Sequence, residues 1–96
     1  MTDKDKNLLE LAARAAGFPA GWVIQGWNPL TDNGDALWLA VKLGIEYCYG
    51  YSLNGEVQRV IVDDDLHVMV QDGDACAAVR RAIVRAAADV GKAMTK

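Results

Sequence analysis

At 96 residues the chain has the length of one domain, and a chain this short buries only about 60–65% of its unfolded surface. A net charge of −3, from 10 Lys and Arg against 13 Asp and Glu, lacks the surplus of cations that general nucleic-acid binding needs. No apolar run approaches the ~20 residues that span a bilayer, and residues 1–6 lead into an amphipathic helix rather than a signal-peptide core, so a cytoplasmic protein is expected.

The first helix starts at Thr2 or Asp3, either of which caps free backbone amides, and runs to Ala16. Leu8, Leu11, Ala12 and Ala15 fall at helical spacing as its inner stripe, widened by Leu9 and Ala16. Gly17 is the expected left-handed stop, and Phe18-Pro19 prevents continuation. Trp22-Val23-Ile24 reads as a short strand between Gly21 and Gly26. The second helix is capped by Thr31 or Asp32, with Asp35 in its first turn and Gly44 after its end. Leu37, Ala40 and Val41 mark its inner stripe, with Trp38 and Leu39 widening it.

From Ile45 to Leu53 the period is two, which puts Ile45, Tyr47, Tyr49, Tyr51 and Leu53 on one face and Glu46, Cys48, Gly50 and Ser52 on the other. Asn54-Gly55 is a hairpin signal. The return strand spans Glu56–Val62, with Val60 and Val62 on one face and Val57 and Ile61 on the other. Asp63-Asp64-Asp65 makes a second turn, followed by a strand over Leu66–Gln71 that aligns Leu66, Val68 and Val70. Asp72-Gly73-Asp74 ends that strand and caps a last helix whose buried stripe is Cys76, Val79, Ala82, Ile83, Ala86 and Val90, with Gly91 as its stop. The fold class is therefore α+β, a three-stranded antiparallel sheet with helices packed on it in the order α-(β)-α-β-β-β-α. Both sheet faces carry apolar residues, so helices are expected on both, or one face is left for a partner.

Little in the chain points to catalysis. The Asp63–Asp65 run is better explained as a turn than as a metal site, and no metal or other cofactor is expected. The single histidine, His67, has Cys48 and Cys76 as conceivable thiol partners, but Cys76 lies in an apolar stripe where a thiol packs inertly. No phosphate-binding loop, nucleophile elbow or zinc spacing occurs, and the cysteines read as free, partly buried thiols. The chain is read as non-enzymatic.

The residues that suggest binding are Tyr47, Tyr49 and Tyr51, three phenols on one strand face. They form either a sheet face under a helix or an exposed platform for a protein partner. As a base-stacking platform they would need cations nearby, and Arg59 on the next strand is the candidate. Trp38 is a further partner-facing candidate, whereas Trp27 is expected to plug the gap between the second helix and the sheet. Charge is segregated: residues 32–74 carry a net of −7 and residues 75–96 a net of +4. Arg80, Arg81 and Arg85 thus make a basic edge, either solvated or used for a charged partner.

The block Trp27-Asn28-Pro29-Leu30-Thr31-Asp32 and the last helix with its Arg81-Ala82-Ile83 run resemble a family of small bacteriophage and prophage proteins, the phage ABA-sandwich domain. The resemblance implies a sheet layered between helices and, in Trp27, Asn28, Pro29 and Asp32, structural landmarks rather than a site. It implies no established reaction. The expectation is a non-enzymatic accessory protein that binds a host protein, in the manner of anti-CRISPR and other inhibitors of host defence. A binder that sequesters a small ligand or nucleotide signal is the alternative, and an accessory phage protein with a purely structural role is the second. The excess of Ala and Val leaves apolar surface for a homodimer.

Overall fold

A computed structural model describes residues 2–18, 26–63 and 66–94. Helix α1 (Asp3–Ala15) is followed by α2 (Asn33–Leu43), strands β1 (Tyr47–Tyr51), β2 (Val57–Val62) and β3 (Leu66–Met69), and α3 (Ala75–Ala93). The fold is α+β, with the three strands forming an antiparallel meander in the order β1-β2-β3. The strand expected at Trp22-Val23-Ile24 lies outside the described residues, as do Asp64 and Asp65.

Local signals decide the helix ends. The Thr2 hydroxyl accepts the Asp5 amide at 3.1 Å, Asp32 accepts the Asp35 amide at 2.7 Å, and Asp74 accepts the Ala77 amide at 2.9 Å. Each cap satisfies a donor that the first turn leaves open. At the end of α1, Gly17 enters the left-handed region (φ +86°), and the Phe18 and Gly17 amides return to the Ala13 and Arg14 carbonyls. This pair of bonds closes the helix as a Schellman motif. Gly44 (φ +65°) ends α2 in a similar way, with the Ile45 amide on the Ala40 carbonyl.

The expected core stripes are turned relative to the observed ones. In α1 the fully buried line is Leu9, Ala12, Ala13 and Ala16, while Leu8, Leu11 and Ala15 flank it. In α2 it is Ala36, Leu39 and Ala40, which leaves Leu37 (59% exposed) and Val41 (74%) outside. In α3 Cys76 and Val90 are exposed, and the buried residues are Ala78, Ala82, Ile83, Val84, Ala87, Ala88 and Gly91. These fall on two sides of α3, because that helix is the middle layer. Ala78 and Ala82 pack on Val60, Val62 and Val68 of the sheet, whereas Val84 and Ala87 join Leu9, Ala12, Trp27 and Leu39 in an interhelical core. Trp27 accordingly plugs the space among the helices and not a gap between α2 and the sheet.

Gly91 continues α3 instead of stopping it. A Cβ at this position would stand 1.9 Å from the Leu11 carbonyl oxygen of α1. The two helices therefore cross at a separation that only glycine permits. The other sheet face, with Cys48, His67 and Met69, is exposed and carries no helix among the described residues. The layers thus run sheet, α3, then α1 and α2, which differs from the expectation of helices on both sides.

Gly91→Ala tests that crossing. Alanine improves helix propensity by ~1 kcal/mol, yet overpacking against a backbone oxygen costs about 1–3 kcal/mol or more. The expected result is a net loss of roughly 2 kcal/mol in urea unfolding. A variant as stable as the wild type would mean that α1 and α3 are not held this close.

Candidate functional site

The tyrosines lie on the helix side of the sheet, but beyond the helix. Tyr47 pairs with Val62 and Tyr49 with Val60, so these tyrosines share the face of the buried valines. Helix α3 lies over β2 and β3, and the inner face of edge strand β1 extends past it. Tyr47, Tyr49 and Tyr51 are 37%, 41% and 62% exposed. Their rings form a row of edge-to-face contacts, with centroids 6.0 Å apart for the first pair and 6.3 Å for the second. That geometry is favourable for the aromatic quadrupole.

The register near the hairpin shapes one end of this row. Tyr51 pairs with Val57 and Gly50 with Arg59, so Gln58 is an extra residue on β2. The bulge returns Val57 to the tyrosine face, where alternation alone placed it on the opposite one. Beyond Tyr51 the chain turns through Leu53, Asn54 and Gly55, with the Gly55 amide on the Ser52 carbonyl and the Ser52 amide on the Glu56 carbonyl. Gly55 (φ +86°) supplies the left-handed position of this three-residue hairpin loop. The loop leaves Leu53 wholly exposed at the tip.

Between β1 and the helices runs an open groove of about 440 Å³. Tyr47, Tyr49 and Val57 form one wall; Leu37 of α2 and Cys76 and Val79 of α3 line the others. Arg80 borders the groove with its guanidinium anchored: Nε donates to the Leu30 carbonyl at 2.8 Å, and Nη1 donates to Asn33 Oδ1 at 2.7 Å. The Tyr49 phenol has its pKa raised, first by desolvation in this wall and then by Tyr47, Tyr51 and Cys76 beside it.

Other expected binding residues are dispersed. Arg59 lies on the opposite sheet face, across Gly50, where a Cβ would stand 2.7 Å from the Arg59 Cγ. It is therefore not the cation of a tyrosine platform; Arg80 is the arginine that borders the tyrosine groove. Arg81 turns the other way and makes a forked contact with Asp5 of α1 at 3.1 and 3.3 Å. Arg85 is exposed, beside Arg81 and His67 along the β3 side of α3. Hence Arg80, Arg81 and Arg85 are not one basic edge. Arg80 ties α3 to α2 and its preceding loop, and Arg81 ties α3 to α1.

Trp38 is 44% exposed and stacks on Phe18 at 5.2 Å, and Phe18 meets Trp27 edge-on at the same distance. Cys48 and Cys76 are free and both exposed. Cys76 faces the tyrosine groove while His67 lies along β3 on the far side, so these two are not brought together. Among the described residues, no group of three His, Cys, Asp or Glu side chains is placed to hold a metal ion. No helix among them is long and apolar enough to cross a membrane.

The Trp-Asn-Pro block is held largely by short-range hydrogen bonds. Asn28 Oδ1 accepts the Leu30 amide at 3.0 Å, and its carbonyl accepts the Thr31 and Asp32 amides. The Asn28 amide in turn donates to Asp35 Oδ2 at 2.9 Å, and Pro29 is fully buried. These bonds hold the entry to α2, which positions Leu37 at the groove. Leu37 and Cys76 were not among the expected site residues. The signal available for Leu37 is that α2 is apolar around much of its circumference, so its faces cannot all be inside.

Compared with known proteins, the chain matches no protein family, no curated protein and no solved structure.

The Asp5–Arg81 contact makes a pH-dependent prediction. Hydrogen bonding and charge from Arg81 lower the Asp5 pKa. Stability from a carboxylate with a depressed folded pKa is present above its unfolded value and lost as pH falls through the folded value. The Arg81 side chain is 41% exposed, so solvent limits the pair to less than about 1 kcal/mol. Asp5→Asn should therefore be slightly less stable at pH 7 in low salt, with the difference closing as the pH falls below the ordinary carboxylate range. A difference that persists undiminished in acid would assign the effect to something other than this charge pair.

Proposed function

We propose that this protein is a non-enzymatic accessory protein of phage or prophage type that acts by protein–protein contact in the bacterial cytoplasm, as an inhibitor of a host defence system. The observation that supports the contact is the uncovered row Tyr47-Tyr49-Tyr51, continued by exposed Leu53 and faced by Leu37 across the groove. A small domain that leaves this much aromatic and aliphatic surface in water gains by covering it. Tyrosine is also well suited to a partner, because it offers large area, few rotatable bonds and a polar tip. The phage assignment and the anti-CRISPR-like role rest on the resemblance carried by residues 27–32 and by the last helix. Self-association through the same apolar surface belongs to this reading.

A second reading has one specific observation in its favour. A groove of about 440 Å³ is within the range of small-molecule sites, roughly 300–1,000 Å³. Its tyrosine wall and bordering Arg80 would suit an aromatic anion such as a nucleotide signal.

The test is affinity capture with the tagged protein from a phage-susceptible host that expresses its defence systems. A stoichiometric host protein is expected, lost with Tyr49→Ala and kept with Arg59→Ala on the opposite sheet face. Capture that is indifferent to Tyr49 would reject the groove as the contact. An empty lane together with nucleotide-dependent thermal stabilisation would favour the ligand-sequestering reading.

A further inference from the structure

The outer edge of β1 is a second, distinct feature of the same region. The Ser52 amide donates inward to the Glu56 carbonyl at 2.8 Å. Backbone groups of a strand alternate in direction, so Gly50 and Cys48 also face β2. Tyr47, Tyr49 and Tyr51 then direct their own N–H and C=O groups to the outer edge. Among the described residues no strand pairs there. This edge has neither Pro nor Lys, the usual guards against strand addition, and its five residues carry no charge.

We infer that β1 pairs with β1 of a second copy of this chain, antiparallel about a two-fold axis at Tyr49, to make one continuous six-stranded sheet. The strand is nearly palindromic about that residue. In this register Tyr49 opposes Tyr49 of the second copy and Tyr47 opposes Tyr51, and these are the residues whose backbone groups point outward. Three opposed pairs, each exchanging two bonds, give about six backbone hydrogen bonds. All the tyrosines fall on one face as aromatic cross-strand pairs. Continuing the register sets exposed Leu53 opposite Ile45, and Glu46 opposite Ser52, so no like charges meet. With about 150–250 Å² for a tyrosine side chain, the exposed shares of the three tyrosines and Leu53 offer at most roughly 500 Å² per copy beside this edge. Two copies bring at most about 1,000 Å², the lower bound of a specific interface, so the dimer forms and dissociates with concentration. The two tyrosine grooves then lie side by side, flanked by the helices of both copies. This pairing extends the protein-contact reading by naming one partner and its register.

Sedimentation velocity over a range of concentrations is the experiment. The mass should rise from the 10.4 kDa of one chain toward twice that value. Tyr49→Pro removes an N–H from the outer edge only and should give a monomer with unchanged helical circular dichroism. Register is read by oxidative cross-linking of Gly50→Cys combined with Arg59→Ala, which clears the space over position 50, and Cys76→Ser. In the proposed pairing the new thiol opposes Cys48 of the second copy at a Cα spacing of about 4.5 Å, within disulfide reach. A disulfide-linked dimer supports the inference even if Tyr49→Pro fails to fold. A monomer at all concentrations up to ~1 mM, or a dimer untouched by Tyr49→Pro and without the cross-link, overturns it. Capture of a host protein by a monomeric chain would refute self-pairing and leave the protein-contact function standing.

Discussion

The close crossing of α1 over α3, with Gly91 against the Leu11 carbonyl, is the contact on which the other layers depend. It allows a single helix to be buried on two sides at once. Alanine dominates those sides, at Ala78 and Ala82 toward the sheet and at Ala87 and Ala88 elsewhere in the buried surface. Small side chains bring the backbones near enough for Leu9, Leu39, Ile83 and Val84 to fill the interhelical core. Larger residues along α3 would push α1 and the sheet apart and open both cores together. The arginines reinforce this arrangement, since Arg80 and Arg81 extend from adjacent positions of α3 to the α2 entry and to α1.

The groove follows from the widths of the elements. A helix is ~10 Å across and strands are ~4.8 Å apart, so one helix covers about two strands. Helix α3 covers β2 and β3, with Val60, Val62 and Val68 sealed beneath it. The inner face of β1 extends beyond, and its residues are the tyrosines. A phenol tolerates that position because its ring packs while its hydroxyl remains wet. The aromatic surface is therefore the geometric remainder of a three-stranded sheet under one helix. Among the described residues the same geometry leaves the outer edge of β1 open, since its neighbour in sequence, β2, occupies only the inner edge.

The expected function classes differ in how they use this remainder. A protein partner or a second copy would cover the tyrosine row and Leu53, whereas a small ligand would occupy only the recess between Tyr47, Tyr49 and α3. The arginines of α3 favour no large polyanion, because Arg80 and Arg81 are already engaged and point in different directions.

Caps, stops and turns were legible in the sequence because each depends on a few adjacent residues. Thr2, Asp32 and Asp74 cap where a short oxygen-bearing side chain precedes an apolar pattern, and Gly17 and Gly44 stop where a left-handed residue is needed. Strand alternation likewise put the three tyrosines on one face. Helix phase was not legible, because apolar residues, chiefly Leu and Trp in α2 and Ala and Val in α3, populate much of each circumference and the pattern has no sharp polar side. Gly91 looked like a stop, since nothing local distinguishes a terminating glycine from one that admits a neighbouring backbone. The faces of Arg59 and Val57 depended on a bulge at Gln58, and the separation of Arg80 from Arg81 on partners distant in the chain. Short-range backbone chemistry thus sets the helix starts, the strand alternation and the hairpin of the described residues. Which apolar face goes inside and which is left at the groove is set by long-range packing, because it depends on how many strands one helix can cover.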